Sequence, residues 1–206
     1  VCPGTYSNVK FYINSPNVIL DCNGAQFNGL GTSGAGYGIE IREYAQNLEV
    51  RNCKFHNYAR AAYIYGTSAK NIENLYIYNS SFTRSYYDNL QISYLKNSLF
   101  EKITVGNESY VSSSYHNINL QQFNNIDIKD SLIADNSGEG IYAITGQILN
   151  VQNTTFLNNR YAFYVNNINS NANSYSTIKD NYFSGISNSI RSESSYRLNV
   201  YNNLFR

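Results

Sequence analysis

The chain contains no methionine, no tryptophan, two prolines and three cysteines. Without a methionine it lacks an initiator residue, so it is expected to be a processed mature chain or an excised fragment. Removal of a secretory signal is the simplest account, and it implies an extracellular or cell-surface location. Three cysteines are too few for a disulfide scaffold, and no C-x-x-C pair occurs. An odd count allows one bridge, expected between Cys2 and either Cys22 or Cys53; the alternative is three buried thiols. Charged residues make up only 14% of the chain and balance to +1, so the charge gives no support for a nucleic-acid or anionic-membrane partner. No apolar run approaches the ~18 residues that a membrane-spanning helix needs.

What the chain does contain is repetition. "NLEVRNCKF" from Asn47 is followed by "NLYIYNSSF" from Asn74, "LNVQNTTF" from Leu149 and "RLNVYNNLF" from Arg197. Four columns recur at a, a+2, a+4 and a+7. The first begins at Val18, Leu48, Leu75, Ile103, Ile126, Leu149, Ser176 and Leu198. The third holds Cys22, Asn52, Asn79, Asn107, Asp130, Asn153, Asp180 and Asn202. The fourth holds Ala25, Phe55, Phe82, Tyr110, Ile133, Phe156, Phe183 and Phe205. Copies lie 30, 27, 28, 23, 23, 27 and 22 residues apart. A second alternating stretch sits between copies, for example Leu90-x-Ile92, Ile141-x-Ala143 and Phe163-x-Val165.

Alternation at period two means strands, and a unit of about 23 residues cannot bury its own apolar face, so units must stack. The reading is an all-β solenoid of about eight coils with an Asn ladder and a stacked aromatic core. Asn and Asp tolerate left-handed turns and can bond one another along the stack. Residues 1–16 are expected to cap the first coil, through Val9, Phe11 and Ile13, and residues 17–206 to form one domain.

The run "NVILDCNGAQFNG", then "GYGIEI" and "NLEVRNCKFHNY", resembles the right-handed parallel β-helix of the pectin-lyase-like superfamily. It is similar in particular to β-helix repeats of secreted and cell-surface archaeal and bacterial proteins. The resemblance covers residues 17–206. It implies fold strongly and function weakly, since the superfamily includes pectate lyases, glycoside hydrolases, epimerases, adhesins and non-catalytic shells. Similar repeats occur in a periplasmic accessory protein of nitrous oxide reduction, but a chain without Met or a Cys/His cluster is poorly suited to copper.

Hydrolysis of a glycosidic bond needs two carboxylates about 5–9.5 Å apart. Along the outward strand positions no two acids are expected on neighbouring coils. One turn column does gather ionisable groups: Arg60, Asp88, His116 and Glu139. Asp88, His116 and Glu139 fit an acid/base or metal site, while an alternating-charge ladder that fixes register fits the whole column. No metal or cofactor is assigned. Outward Tyr63, Tyr65, Tyr76 and Tyr78, placed on one coil, and Tyr142 with Tyr164 on neighbouring coils, are the candidates for stacking on sugar, against the alternative that Tyr suits strands. The sequons at Asn79, Asn107 and Asn153 fall on ladder positions and are expected to be engaged there. The connections near 66–74, 94–102 and 166–175 are expected as loops at one corner.

The chain stops at "NNLFR", right after an aromatic position, with no capping segment. The partners expected are therefore copies of itself through the coil ends, giving filaments, or further domains of a longer chain; extracellular polysaccharide is the other. The functional expectation is a non-catalytic structural β-helix, with a polysaccharide lyase, glycoside hydrolase or glycan-binding module as the alternative.

Overall fold

A computed structural model describes residues 1–106, 115–169 and 175–206. Among these, every regular element is a strand, and no helix is long and apolar enough to cross a membrane. The strands pair only in parallel and wind into a β-helix. Each turn carries three strands rather than two, because the aromatic column lies on a short strand of its own.

Sheet 1 stacks eight strands, from Ile19–Asp21 through Gln46–Arg51, Ile72–Tyr78, Leu95–Glu101, Asn124–Lys129, Leu149–Gln152 and Ser176–Lys179 to Leu198–Tyr201. Sheet 2 carries the aromatic column, on strands such as Lys54–His56 and Ser81–Thr83. Sheet 3 includes Tyr37–Arg42, Arg60–Tyr65, Leu90–Ser93 and Ile118–Gln121. Sheets 2 and 3 fuse where Leu132–Gly146 and Thr155–Ile168 run through the corner, with a register shift between Asn136 and Glu139. Among the described residues there are slightly fewer complete turns than the eight expected, Leu198–Tyr201 and Leu204–Phe205 making up part of one. At the other end, Thr5–Ser7 pairs with Gln26–Asn28 and Phe11–Ile13 with Tyr37–Arg42, so residues 1–16 add strands to sheets 2 and 3.

Inward residues form continuous apolar columns. Val50, Ile77, Phe100, Ile128 and Val151 follow one another in register and are buried. Each such side chain contributes roughly 1.5–3 kcal/mol on burial. Phe27, Phe55 and Phe82 stack at centroid separations of 5.3 and 5.7 Å, and Phe156, Phe183 and Phe205 at 5.1 and 4.8 Å. The first aromatic place thus belongs to Phe27, not Ala25, because the first turn holds two extra residues at the preceding corner.

The fourth copy is also displaced. Ser98 pairs with Ile126 and Phe100 with Ile128, while Val105 pairs with Phe82 and Ile133. The columns therefore run through Ser98, Phe100, Lys102 and Val105, not through Ile103 and Val105 as first-sheet residues. Asn107 and Tyr110 lie outside the described residues. The same shift makes Leu95–Glu101 a strand where a loop was expected.

The ladder is present on either side of this break. Asn52 Nδ2 donates to Asp21 Oδ1 at 3.0 Å, Asn79 Nδ2 to Asn52 Oδ1 at 2.8 Å, and Asn153 Nδ2 to Asp130 Oδ1 at 3.2 Å. The sequon side chains of Asn79 and Asn153 are thereby engaged. Asn23, Asn52, Asn79, Lys102, Asp130, Asn153, Asp180 and Asn202 all have φ between 45° and 56°, the left-handed region that Asn and Asp tolerate best after Gly. A second ladder opens sheet 1: Asn47 donates to Asn17, Asn74 to Asn47 and Asn125 to Asn97.

The disulfide joins Cys22 to Cys53, and Cys2 is free and exposed. Neither expected pairing of Cys2, nor the three-thiol alternative, holds. Cys53 follows the ladder residue Asn52 and Cys22 lies level with Asn52 on the turn before, so stacking sets their Cα atoms 4.9 Å apart at a buried corner.

Candidate functional site

The column Arg60, Asp88, His116 and Glu139 does stack along sheet 3 at the corner with sheet 2, because Ala62, Leu90, Ile118 and Ile141 are in register two residues later. Its members are tied to the fold in different ways. Asp88 is buried; its Oδ1 accepts the His116 backbone N–H at 2.8 Å and its Oδ2 accepts Asn119 Nδ2 at 3.0 Å. His116 Nδ1 lies 2.6 Å from Glu139 Oε2. The imidazole beside it holds the Glu139 carboxyl below its ordinary value, against the opposing effect of burial. The Arg60 guanidinium carbon lies 4.6 Å from the Tyr87 ring centroid and 5.9 Å from that of Tyr63. Among the described residues no three His, Cys, Asp or Glu side chains converge as metal ligands.

The six candidate tyrosines separate into three groups. Tyr76 and Tyr78 face outward on sheet 1, whereas Tyr63 and Tyr65 belong to the preceding turn and face outward on sheet 3, so the four do not form one patch. Tyr142 is sandwiched between His116 (4.3 Å, 8°) and Tyr164 (5.1 Å, 7°). Tyr164 donates its hydroxyl to Glu193 Oε2 at 2.7 Å and has the Arg191 guanidinium 5.2 Å from its centroid. Tyr63 stacks on Tyr37 at 4.6 Å. The Tyr76 hydroxyl donates to Glu101 Oε2 at 2.8 Å, and burial together with that carboxylate pushes it up to about 12. The ring faces a sugar would need are, to a large extent, already covered by the chain's own neighbours.

The outer face of sheet 1 differs from the expectation that acids stay apart. Asp21 and Glu49, on successive turns, both hold Arg51, each at 2.8 Å. Further along, Asp127, Lys129, Asn150, Gln152, Thr177 and Lys179 line an open groove of about 410 Å³. Lys129 and Lys179 occupy the same outward row with Gln152 between them. Two turns of parallel strand separate their Cα atoms by about 10 Å. Their ammonium groups are only loosely paired, each 3.9 Å from a carboxylate oxygen. The outward positions of these residues are legible in the sequence, but how their side chains leave space between successive turns depends on the stacked structure.

No protein-family model and no curated relative matches the chain. Solved structures of similar shape do exist. The chain is a parallel β-helix of the kind they share. The surface protein and adhesin PfbA of Streptococcus pneumoniae superposes with a TM-score of 0.59 at 13% identity, over 98% of this chain and 63% of that one. The periplasmic alginate epimerase AlgG gives 0.70 at 10% identity, over 97% and 47%. The alginate lyase of Paenibacillus sp. str. FPU-7 gives 0.60 at 12% identity, over 95% and 72%. At these identities the likeness is one of fold. The chain spans less than two thirds of the length of the first two.

Proposed function

We propose that this protein is a non-catalytic extracellular β-helix whose outer wall binds polysaccharide. The observation that carries the reading is the contrast between its two polar faces. On sheet 3 both Asp88 oxygens are spent on hydrogen bonds between turns, and the Glu139 carboxylate is held against His116. On sheet 1 the groove of Asp127, Lys129, Asn150, Gln152 and Lys179 is open along the axis. The Asp127 carboxylate is engaged by Asn150 Nδ2 at 2.8 Å, and the remaining amides, a hydroxyl and two loosely paired ammonium groups suit an extended chain of hydroxyls with acidic substituents. The Cys22–Cys53 bridge supports an oxidising compartment. The alginate-acting and adhesive proteins of the same fold agree in class.

The test is affinity electrophoresis in gels containing polygalacturonate or alginate, with assays for new reducing ends and unsaturated products run alongside. The expected result is retardation without product, and its loss in the doubly substituted Lys129→Gln/Lys179→Gln protein. Unretarded migration in both gels would sink the binding reading.

A second reading is favoured by one observation, the 2.6 Å approach of His116 to Glu139 beside Tyr142. An imidazole this close to a carboxylate and stacked on a phenol ring brings together groups that can exchange protons. Product formation that disappears in both His116→Ala and Glu139→Gln would favour this enzymatic alternative.

A further inference from the structure

Six tyrosines stand out in the sequence and their rings are largely packed on one another; two others are not. Tyr12 and Tyr44 are 62% and 52% exposed. Tyr12 points outward because Phe11 and Ile13 on either side of it face the core, in register with Ile39 and Ile41. Tyr44 sits on the corner after Tyr37–Arg42, where the next residue, Ala45, is fully buried and anchors the turn. Together with Asn14, Arg42, Glu43, Thr67 and Tyr65, the one sequence-predicted tyrosine among them, they line an open pocket of about 370 Å³ at the first turns of the helix. Among the described residues no other ring stacks on either of them.

The charges around the pocket cancel. Arg42 is bonded to Glu40, with Nε 2.5 Å from Oε1, and its guanidinium lies over Tyr63 and Tyr65 at 5.7 and 5.9 Å. Glu43 brings a carboxylate to the rim. The Thr67 turn, closed by Lys70 N–H to Thr67 Oγ1 at 3.1 Å, carries the Lys70 ammonium to 3.9 Å from the Tyr44 centroid. Lys70 already lies over one face of the Tyr44 ring, where its charge repels a cationic ligand, and a neutral ring would use the opposite face. An anionic ligand would meet Glu43 and find Arg42 already neutralised. What remains is a neutral molecule with an apolar face for the tyrosines and hydroxyls for Asn14, Glu43 and Thr67.

We propose that this pocket is a stacking subsite for a neutral pyranose ring, laid on Tyr12 and Tyr44. A pyranose has the required character, with C–H bonds on its faces and hydroxyls around its edge. The subsite lies apart from the sheet 1 groove and takes a ligand of different charge, so the two stand or fall separately.

The experiment is isothermal titration calorimetry of the disulfide-intact chain with cellohexaose, maltohexaose and mannohexaose, with polygalacturonate and tetramethylammonium as further probes. At least one neutral hexasaccharide is expected to bind. Tyr12→Ala and Tyr44→Ala are each expected to weaken it about tenfold, on the scale of one lost aromatic contact, while Tyr12→Phe retains it. Lys129→Gln/Lys179→Gln is expected to leave it unchanged. Both tyrosines are exposed, so unfolding midpoints should match the parent and exclude misfolding as the cause. The inference is overturned if no neutral hexasaccharide binds, if binding survives Tyr12→Ala, or if tetramethylammonium binds in their place. Polygalacturonate binding without hexasaccharide binding would overturn the pocket and leave the groove standing; the reverse would do the opposite.

Discussion

Cys22 and Cys53 are bonded across the first two turns of the helix, and later turns fill the place of Cys53 with Ser80, Ser131, Thr154 and Asn181. At three of these the side-chain oxygen takes a backbone N–H from the turn before: Ser80 Oγ from Cys53, Ser131 Oγ from Ile103 and Asn181 Oδ1 from Thr154. The disulfide is the covalent form of the same link between turns.

Breaking that link should loosen the beginning of the solenoid. The bridge spans 31 residues, and a loop of that size contributes about 3–4 kcal/mol in the chain-entropy model. The doubly substituted Cys22→Ser/Cys53→Ser protein is expected to lose about that much in denaturant unfolding, and Cys2→Ser nothing. Equal losses from Cys2→Ser would contradict the observed pairing.

The Asn ladder combines a left-handed backbone with bonds between turns, and the two can be separated at Asn52. This residue has φ 55°, donates to Asp21 and accepts from Asn79. Asn52→Ala loses both bonds and leaves in a left-handed conformation a residue that tolerates it less well than Asn, at a cost of about 2 kcal/mol. Asn52→Gly loses only the bonds and should be milder by on the order of 1 kcal/mol. Thermal unfolding of the pair decides it; equal losses would mean that the backbone conformation is unimportant.

The same cluster sets a pH dependence. Hydrogen bonds from Asn52, from the Asn23 backbone N–H and from Arg51 hold the Asp21 carboxyl at about 2. A carboxyl lowered in the folded state contributes stability that is complete above the ordinary Asp value near 4 and is lost as pH falls through about 2. Carboxyl carbon NMR should show Asp21 titrating in that low window, and Asn52→Ala should move its midpoint upward. A midpoint near 4 in the parent chain would refute the arrangement.

Gly146 ends the strand Leu132–Gly146 against the buried ring of Phe123, and a Cβ there would overlap that ring. Gly146→Ala is expected to cost about 1–3 kcal/mol as overpacking. Adding Phe123→Leu should return part of it, since the two sites share one space. Urea unfolding of the single and double variants measures the coupling; purely additive losses would argue against it.

Period-two alternation, the recurring Asn and the aromatic column were enough to specify a stacked parallel solenoid, because every turn repeats the same local demand for two apolar faces and a left-handed corner. Sequence alone also collected Arg60, Asp88, His116 and Glu139 into one column, since equal spacing from the second strand places them on equal rungs. Tertiary structure decided where local pattern and stacking disagree. Ile103-x-Val105 is the better apolar match, yet Ser98 and Phe100 take the sheet 1 places, because Val105 is needed between Phe82 and Ile133. It decided the disulfide, which depends on which corners coincide after the first turn absorbs its two extra residues. It also decided which rings are open. Exposure of a tyrosine face depends on the residue one turn above and one turn below, more than twenty positions away along the chain, and so Tyr142 has a ring on each face while Tyr12 and Tyr44 are left uncovered by other rings.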